Sequence, residues 1–197
     1  MSPLKKIWDS ETVFIVGGGP SIKHLDFKKL ENKSVVVTNN AYKSVPWASA
    51  LFFADRIWYD WNKSELYNFK NYKVTTDSRV SGEKEIIYLP HEGPYLSTNL
   101  LHSRRYTNSG SGAMALSVKL GATKLILLGF DMRVVDGKFN YHSEHKREPS
   151  PEIYKNAYIR ELVKMKPFFE ELGITVINCT PNSALECFPM DVIENWL

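Results

Sequence analysis

Residues 12–21 read Thr-Val-Phe-Ile-Val-Gly-Gly-Gly-Pro-Ser, a short β-branched run that ends in three consecutive glycines. Such a run is typical of a buried strand that enters a tight turn. Pro20 and Ser21 are residue types that favour a helix start, and apolar residues with helical spacing follow them as far as Leu30. The stretch therefore predicts a strand, a glycine turn and a helix in direct succession.

The same alternation continues along the rest of the chain. We predict further strands at 34–38, 50–54, 72–76, 85–89, 124–128 and 175–178, and further helices at 57–69, 113–120, 151–172 and 191–196. The polar stretches 91–106 and 133–151 are predicted to be loops. Strands that alternate with helices favour a mostly parallel sheet with helices on both faces. We therefore predict an α/β fold, a single Rossmann-like domain over residues 1–197 with a core of about 12–188.

Composition excludes several classes of protein. Cys179 and Cys187 are the only cysteines and have no partner at metal-ligand spacing, which argues against a zinc site and a disulfide framework. The net charge of +3 favours anionic substrates, but no concentrated Lys/Arg stripe points to nucleic acid. The first ten residues begin no long apolar run, so we expect no membrane span and a cytoplasmic location.

Small, polar or acidic residues follow the predicted strands. In an open parallel sheet, ligands bind beyond the carboxyl ends of the strands, so these positions predict a binding site. The residues concerned are Gly17, Gly18, Gly19, Asn39, Asn40, Asp55, Gly129, Asp131 and Asn182.

The first glycine loop has the chemistry of a phosphate site. Glycines let the backbone approach a phosphate, and a helix start supplies free N–H groups and a favourable dipole. The loop is not the dinucleotide fingerprint, whose third glycine would fall at Ile22, and Asn39 stands where an acidic residue would end the second strand. The alternative interpretation is a glycine turn that only reverses the chain.

A second glycine-rich helix start occurs at residues 108–112, which read Asn-Ser-Gly-Ser-Gly. If both helix starts face one cleft, they could hold a diphosphate, or a phosphate and a sugar. The alternative interpretation is an ordinary N-cap at Asn108 followed by small residues.

The late polar loop supplies candidates for acid–base chemistry. His142 and His145 could donate or accept a proton near neutral pH, and Arg133 could neutralise phosphate together with the Tyr141 hydroxyl. A solvated polar loop without a catalytic role is the alternative. Asp55 and Asp131 could hold a metal ion if their two strand ends are adjacent.

Five motifs occur in a recognisable order: residues 16–21, 38–40, 108–110, 128–131 and 179–183. This set resembles the bacterial lipooligosaccharide sialyltransferases and a related superfamily that includes archaeal 6-hydroxymethylpterin pyrophosphokinases. The resemblance covers about residues 13–188.

The resemblance implies a glycosyltransferase that moves a sugar from a nucleotide-activated donor, such as CMP-sialic acid, to a hydroxyl acceptor. It implies that no cofactor is required and that a histidine of the late loop, His142 or His145, acts as the base. The positions that match the nucleotide-binding residues of the family are Gly17, Gly19, Pro20, Ser21, Asn39, Ser109, Gly110, Asp131, Asn182 and Ser183.

The chain departs from the family pattern at three other positions. Gly18 and Asp55 stand where the sialyltransferases have asparagine, and Arg133 stands near a phosphate-binding tyrosine. The extra carboxylate keeps open a Mg²⁺-dependent pyrophosphokinase, with Asp55 and Asp131 as metal ligands. A non-catalytic nucleotide-binding protein, a nucleic-acid acceptor and a homo-oligomer also stay open.

Overall fold

The computed structural model describes residues 4–90, 108–143 and 150–197. Within them, one sheet contains the strands β1 (Glu11–Val16), β2 (Ser34–Thr38), β3 (Ala50–Phe53), β4 (Tyr72–Thr75), β5 (Ile86–Tyr88), β6 (Ala122–Leu128) and β7 (Thr175–Asn178). The α-helices are α1 (Arg56–Leu66), α2 (Ser109–Leu120) and α3 (Arg160–Glu171). Every pair of neighbouring strands is parallel. The predicted α/β, Rossmann-like fold is therefore confirmed.

The strand order is β5-β4-β3-β2-β1-β6-β7, which places β1 between β2 and β6. The chain fills one side of the sheet from β1 to β5 and then crosses over to β6 and β7 on the other side. The chain therefore continues from β1 to β2 and from β6 to β7 on opposite sides of the β1–β6 pair. In open parallel sheets this switch point forms the crevice in which ligands bind.

Two apolar layers enclose the sheet. Val13 and Ile15 of β1 face one layer, which includes residues of α2 and α3, and Phe14 and Val16 face the other, which includes residues of α1. Each of these four side chains is at most 1% exposed, so β1 is the centre of the fold. Burial on both faces explains why the strand sequence is continuously apolar rather than alternating.

Helix α2 lies so close to the sheet that its small residues are required for packing. A Cβ atom added at Gly112 would overlap the ring of Phe52 on β3. The helix ends as the sequence predicts, because Gly121 adopts a φ of +112° and its N–H bonds the carbonyl of Val118. Among the described residues, no helix combines the length and apolar character needed to cross a bilayer.

Three helix predictions are wrong in detail. The helix predicted after the first glycine loop is two 3₁₀ helices, Pro20–His24 and Phe27–Leu30, because Leu25 is extended and the Asp26 side chain caps the second helix. The helix predicted at 151–172 has a π-helical stretch, Tyr154–Ile159, ahead of α3. The terminal helix predicted at 191–196 is only the 3₁₀ turn Ile193–Asn195. The loop predicted at 91–106 lies outside the described residues.

Candidate functional site

A cavity opens at the carboxyl ends of β1, β2, β3 and β6 and beside the start of α2. It lies at the switch point of the sheet, where the strand order predicts a ligand site. The predicted site residues that line it are Gly17, Gly18, Gly19, Asn39, Asp55, Asn108, Ser109, Gly110, Gly129 and Asp131. The structure thus brings together residues from five separate stretches of the sequence.

The first glycine loop packs directly against the loop that follows β6. The Gly17 N–H donates to the Leu128 carbonyl at 2.8 Å, and the Gly19 N–H donates to the Gly129 carbonyl at 2.9 Å. A Cβ atom at Gly17 would lie 2.7 Å from the Gly129 oxygen. These glycines are therefore needed for the contact between two loops, and their N–H groups are already bonded. The Gly18 N–H borders the cavity without an acceptor in the described part of the chain.

Asp131 fixes the far end of this loop. Its carboxylate accepts the Ser21 N–H at 3.1 Å and the Ser21 O–H at 2.9 Å. The side chain is buried, and burial raises the pKa of Asp131 above the ordinary carboxyl value while the two bonds from Ser21 oppose that rise. Because Asp131 takes the Ser21 N–H, the 3₁₀ helix at Pro20 does not present that group to the cavity.

The start of α2 does face the cavity. Asn108 is the N-cap, and its side chain accepts the Ser111 N–H at 2.9 Å. The Ser109 hydroxyl donates to Asn39 Oδ1 at 3.0 Å, which ties the helix to the end of β2. The first N–H groups of an α-helix have no partner within the helix, and the helix dipole favours an anion there. Of the two helix starts predicted to converge, α2 alone is an α-helix.

Two tyrosines of the π-helical stretch line the cavity and were missed by the sequence analysis. Tyr154 and Tyr158 meet edge to face, with ring centroids 5.7 Å apart, and Tyr154 stacks on Phe139. Burial raises the pKa of Tyr154 to about 12 and also raises the pKa of Tyr158. Both hydroxyls therefore remain protonated hydrogen-bond donors at neutral pH. Asn140 is a further lining residue that the sequence did not reveal.

Several predicted site residues lie behind the cavity, where they support its walls. The Ser183 hydroxyl donates to the Phe130 carbonyl at 2.5 Å, and Arg133 Nε donates to the Asn182 carbonyl at 2.8 Å. These bonds attach the loop after β7 to the loop after β6. Asn40 is buried, and its Oδ1 accepts the indole N–H of Trp58 at 2.7 Å.

The predicted catalytic loop is only partly at the cavity. The Tyr141 hydroxyl lies 3.0 Å from the Ser44 hydroxyl, away from the lining, while its N–H donates to the Gly18 carbonyl at 3.0 Å. His142 is half-buried and meets the Tyr141 ring edge to face, with centroids 4.9 Å apart. Pro20, Ser21, Arg133, Tyr141, His142, Asn182 and Ser183 are not part of the cavity lining. His145 lies outside the described residues.

The sequence predicts Arg133 at the phosphate, but Arg133 is not part of the cavity lining, so the charge of the cavity differs from the prediction. Asp55 and Asp131 line it, and the described lining residues include no lysine or arginine. Over the described ranges, no three His, Cys, Asp or Glu side chains are grouped closely enough to hold a metal ion. Among the described residues, the donors that this cavity offers to an anion are therefore uncharged: backbone amides, tyrosine hydroxyls and asparagine side chains.

Comparison with known proteins supports the fold at low sequence identity. No protein-family model and no curated protein sequence matches the chain. Its fold is similar to the MAf glycosyltransferase from Magnetospirillum magneticum AMB-1, with a TM-score of 0.67 and 13% identity over 98% of this chain. The chain spans only 36% of that protein.

It is also similar to the sialyltransferase CstII from Campylobacter jejuni in complex with cytidine-5'-monophosphate, with a TM-score of 0.59 and 15% identity. That match covers 93% of this chain and 85% of CstII. The complex of CstII with CMP-3FNeuAc matches with a TM-score of 0.55 and 17% identity. The chain therefore has a sialyltransferase-like fold.

Proposed function

We propose that this chain is a glycosyltransferase that binds a nucleotide-activated sugar in the cavity and transfers the sugar to a hydroxyl acceptor. The observation that carries the proposal is the convergence of three elements: the loop after β1, the loop after β6 and the start of α2 line one cavity at the switch point. One solved structure with this fold is named as a glycosyltransferase, and another, named as a sialyltransferase, is in complex with CMP.

The phosphate of the donor is bound by uncharged groups. The N–H groups of Ser109, Gly110 and Gly18 belong to residues that line the cavity, and the hydroxyls of Tyr154 and Tyr158 stay protonated. Such fixed donors stabilise the negative charge that grows on the departing nucleotide. The two tyrosines thereby take the role that the sequence analysis gave to Arg133 and Tyr141.

The acceptor hydroxyl is activated by a histidine of the late loop. His142 follows Asn140, a lining residue, by two positions. A neutral imidazole there would take the acceptor proton as the sugar is transferred. His145 is the other candidate in the same loop.

Calorimetric titration with CMP, UDP, GDP and ATP, each with and without Mg²⁺, tests the proposal. We expect at least one pyrimidine nucleotide to bind without added metal, and Ser109→Ala combined with Tyr158→Phe to weaken that binding by about tenfold or more. Tyr67→Phe, at a 63% exposed tyrosine of another surface, is the matched control. Failure of all four nucleotides to bind under both conditions would contradict the proposal.

A Mg²⁺-dependent diphosphate transferase is the second candidate, because Asp55 and Asp131 line the same cavity. Both carboxylate oxygens of Asp131 already accept bonds from Ser21, so a metal ion would compete with Ser21 for them. Mg²⁺ would neutralise the phosphates, and the remaining ligands would have to be water or substrate oxygens. Binding of ATP that requires Mg²⁺ and is lost in Asp55→Asn would favour this candidate over the first.

A further inference from the structure

Glu161 is a buried carboxylate that has no part in the proposed chemistry. It belongs to the first turn of α3 and is 3% exposed. Its Oε2 accepts hydrogen bonds from the Ser111 hydroxyl and, at 3.1 Å, from Asn108 Nδ2. Both donors belong to the start of α2, so one carboxylate on α3 holds the helix start that faces the cavity.

These bonds determine which way the Asn108 amide points. Asn108 Oδ1 must face the helix, because it accepts the Ser111 N–H at 2.9 Å. An asparagine side chain can rotate to exchange its oxygen and nitrogen. A carboxylate accepts hydrogen bonds and cannot donate them, so Glu161 admits only the orientation in which Nδ2 faces it. The N-cap is therefore set by Glu161 as well as by Asn108 itself.

Glu161 also joins two walls of the cavity. It follows the π-helical stretch that carries Tyr154 and Tyr158, while its bonds reach α2. We propose that Glu161 is a positioning residue that aligns the α2 amides with the cavity wall formed by Tyr154 and Tyr158, the tyrosine wall, so that one anion can contact both. This inference rests on the proposed function for the identity of the anion, but the alignment itself is a property of the chain.

Hydrogen exchange of the free protein tests the alignment without any ligand. Glu161→Leu removes the acceptor at similar volume, and we expect the hydrogen-bonded amides of residues 111–113 to exchange about tenfold faster or more, relative to those of β6. Ser117→Ala is the matched control, because it removes another buried bond of α2, from the Ser117 hydroxyl to the Ala113 carbonyl at 2.8 Å. An exchange pattern in Glu161→Leu that matches the control would overturn the inference.

If Glu161→Leu does not fold, a second test exchanges the hydrogen-bond donor at position 108 with the acceptor at position 161. Asn108→Asp keeps an acceptor for the Ser111 N–H but places a second carboxylate against Glu161. The double variant Asn108→Asp with Glu161→Gln restores a donor facing an acceptor. We expect the single variant to show fast exchange at residues 111–113 and the double variant to recover most of the protection. No recovery in the double variant would count against the positioning role.

Binding of CMP to the same variants separates this inference from the proposed function. We expect Asn108→Asp to weaken CMP binding by about tenfold and the double variant to regain about half of that loss or more on a logarithmic scale. Wild-type protein that does not bind CMP would count against the proposed donor, while the exchange data would still decide the alignment. Changed exchange with unchanged CMP affinity would contradict the positioning role at this site.

Discussion

Ser21 and Asp131 lie 110 residues apart in the sequence, and Ser21 donates both its N–H and its O–H to the Asp131 carboxylate. The two bonds fasten the loop after β1 to the loop after β6 at the point where the sheet changes direction. The two bonds require a buried carboxylate, and they join the two loops that form this wall of the cavity. The geometry of the proposed nucleotide site therefore depends on this pair.

The neighbouring glycines should differ sharply in their tolerance of alanine. Gly19 has a φ of −66°, which suits any residue, but a Cβ there would overlap Asp131 Oδ2 and lie 2.5 Å from the Gly129 carbonyl oxygen. At Gly18 the nearest atom is the end of the Asn140 side chain, at 2.9 Å, which can turn away. We expect Gly19→Ala to lower the free energy of unfolding by about 1–3 kcal/mol, and Gly18→Ala to lower it much less. Urea denaturation measures both, and equal losses would contradict this account of the loop contact.

The Asp131 carboxyl should make stability depend on pH. Its pKa is raised in the folded state, so just above pH 3.8 the folded chain holds a proton that the unfolded chain has lost. The stabilisation from this group is complete below 3.8 and is lost as the pH rises through the higher, folded-state pKa. We expect Asp131→Asn to remove this pH dependence. The measurement is the free energy of unfolding of the wild type and of the variant as a function of pH. Asp136→Asn, at an exposed position of the same loop, should leave the pH dependence unchanged.

The sequence was sufficient for the sheet because most strands contain a short apolar run that ends in turn residues. It was not sufficient for the role of Gly17 and Gly19, since the group that excludes a side chain there is more than 100 residues away. A glycine that approaches a phosphate and a glycine that approaches a carbonyl look the same in a sequence. The first loop was therefore located correctly, but the bonding of its amides was not foreseen.

The tyrosine wall escaped sequence analysis for a different reason. The π-helical stretch Tyr154–Ile159 changes the helical phase, so the usual 3.6-residue spacing does not show which side chains face the sheet. Tyr154 and Tyr158 carried no motif, whereas Arg133 stood out by residue type. Residue type indicates chemistry, but position within the fold decides whether that chemistry reaches the cavity.

Removal of one hydroxyl from the tyrosine wall should weaken nucleotide binding without loss of stability. We expect Tyr158→Phe to weaken CMP binding by about tenfold, which is the loss of one hydrogen bond to a charged group. Tyr154→Phe should weaken CMP binding less, because the Tyr154 hydroxyl also donates to the Phe139 carbonyl, at 3.4 Å.

The pH dependence of binding tests the state of the same hydroxyls. Because the pKa of Tyr154 is about 12, its hydroxyl remains a donor up to high pH. We expect CMP affinity to stay level between about pH 8 and 10, where an ordinary tyrosine with a pKa of about 10 begins to ionise. A fall in the CMP affinity of the wild-type protein over this pH range that is absent in Tyr154→Phe would show that the Tyr154 hydroxyl ionises in this range, which would contradict the prediction.

Asp77 should stabilise the sheet edge next to the cavity. Its side chain accepts bonds from the Arg79 guanidinium and from the N–H groups of Arg79 and Arg56, which lower its pKa from 3.8 to about 2. The stabilisation is present above pH 3.8 and is lost as the pH falls through about 2. We expect Asp77→Asn to lower the free energy of unfolding at pH 7 by about 2 kcal/mol. Asp60→Asn, in an exposed pair with Arg56, should have no measurable effect.

His142 provides the last and most direct test of the proposed chemistry, because a general base affects turnover more than ground-state binding. We expect His142→Ala to lower kcat by about 10²-fold or more with an identified donor and acceptor, while CMP affinity stays within about twofold. His24→Ala, at an exposed histidine of the 3₁₀ helix Pro20–His24, is the control. A full loss in His145→Ala with normal turnover in His142→Ala would transfer the role to His145. Normal turnover in both variants would rule out a histidine base in this loop and make Asp55, a carboxylate that lines the cavity, the next side chain to test.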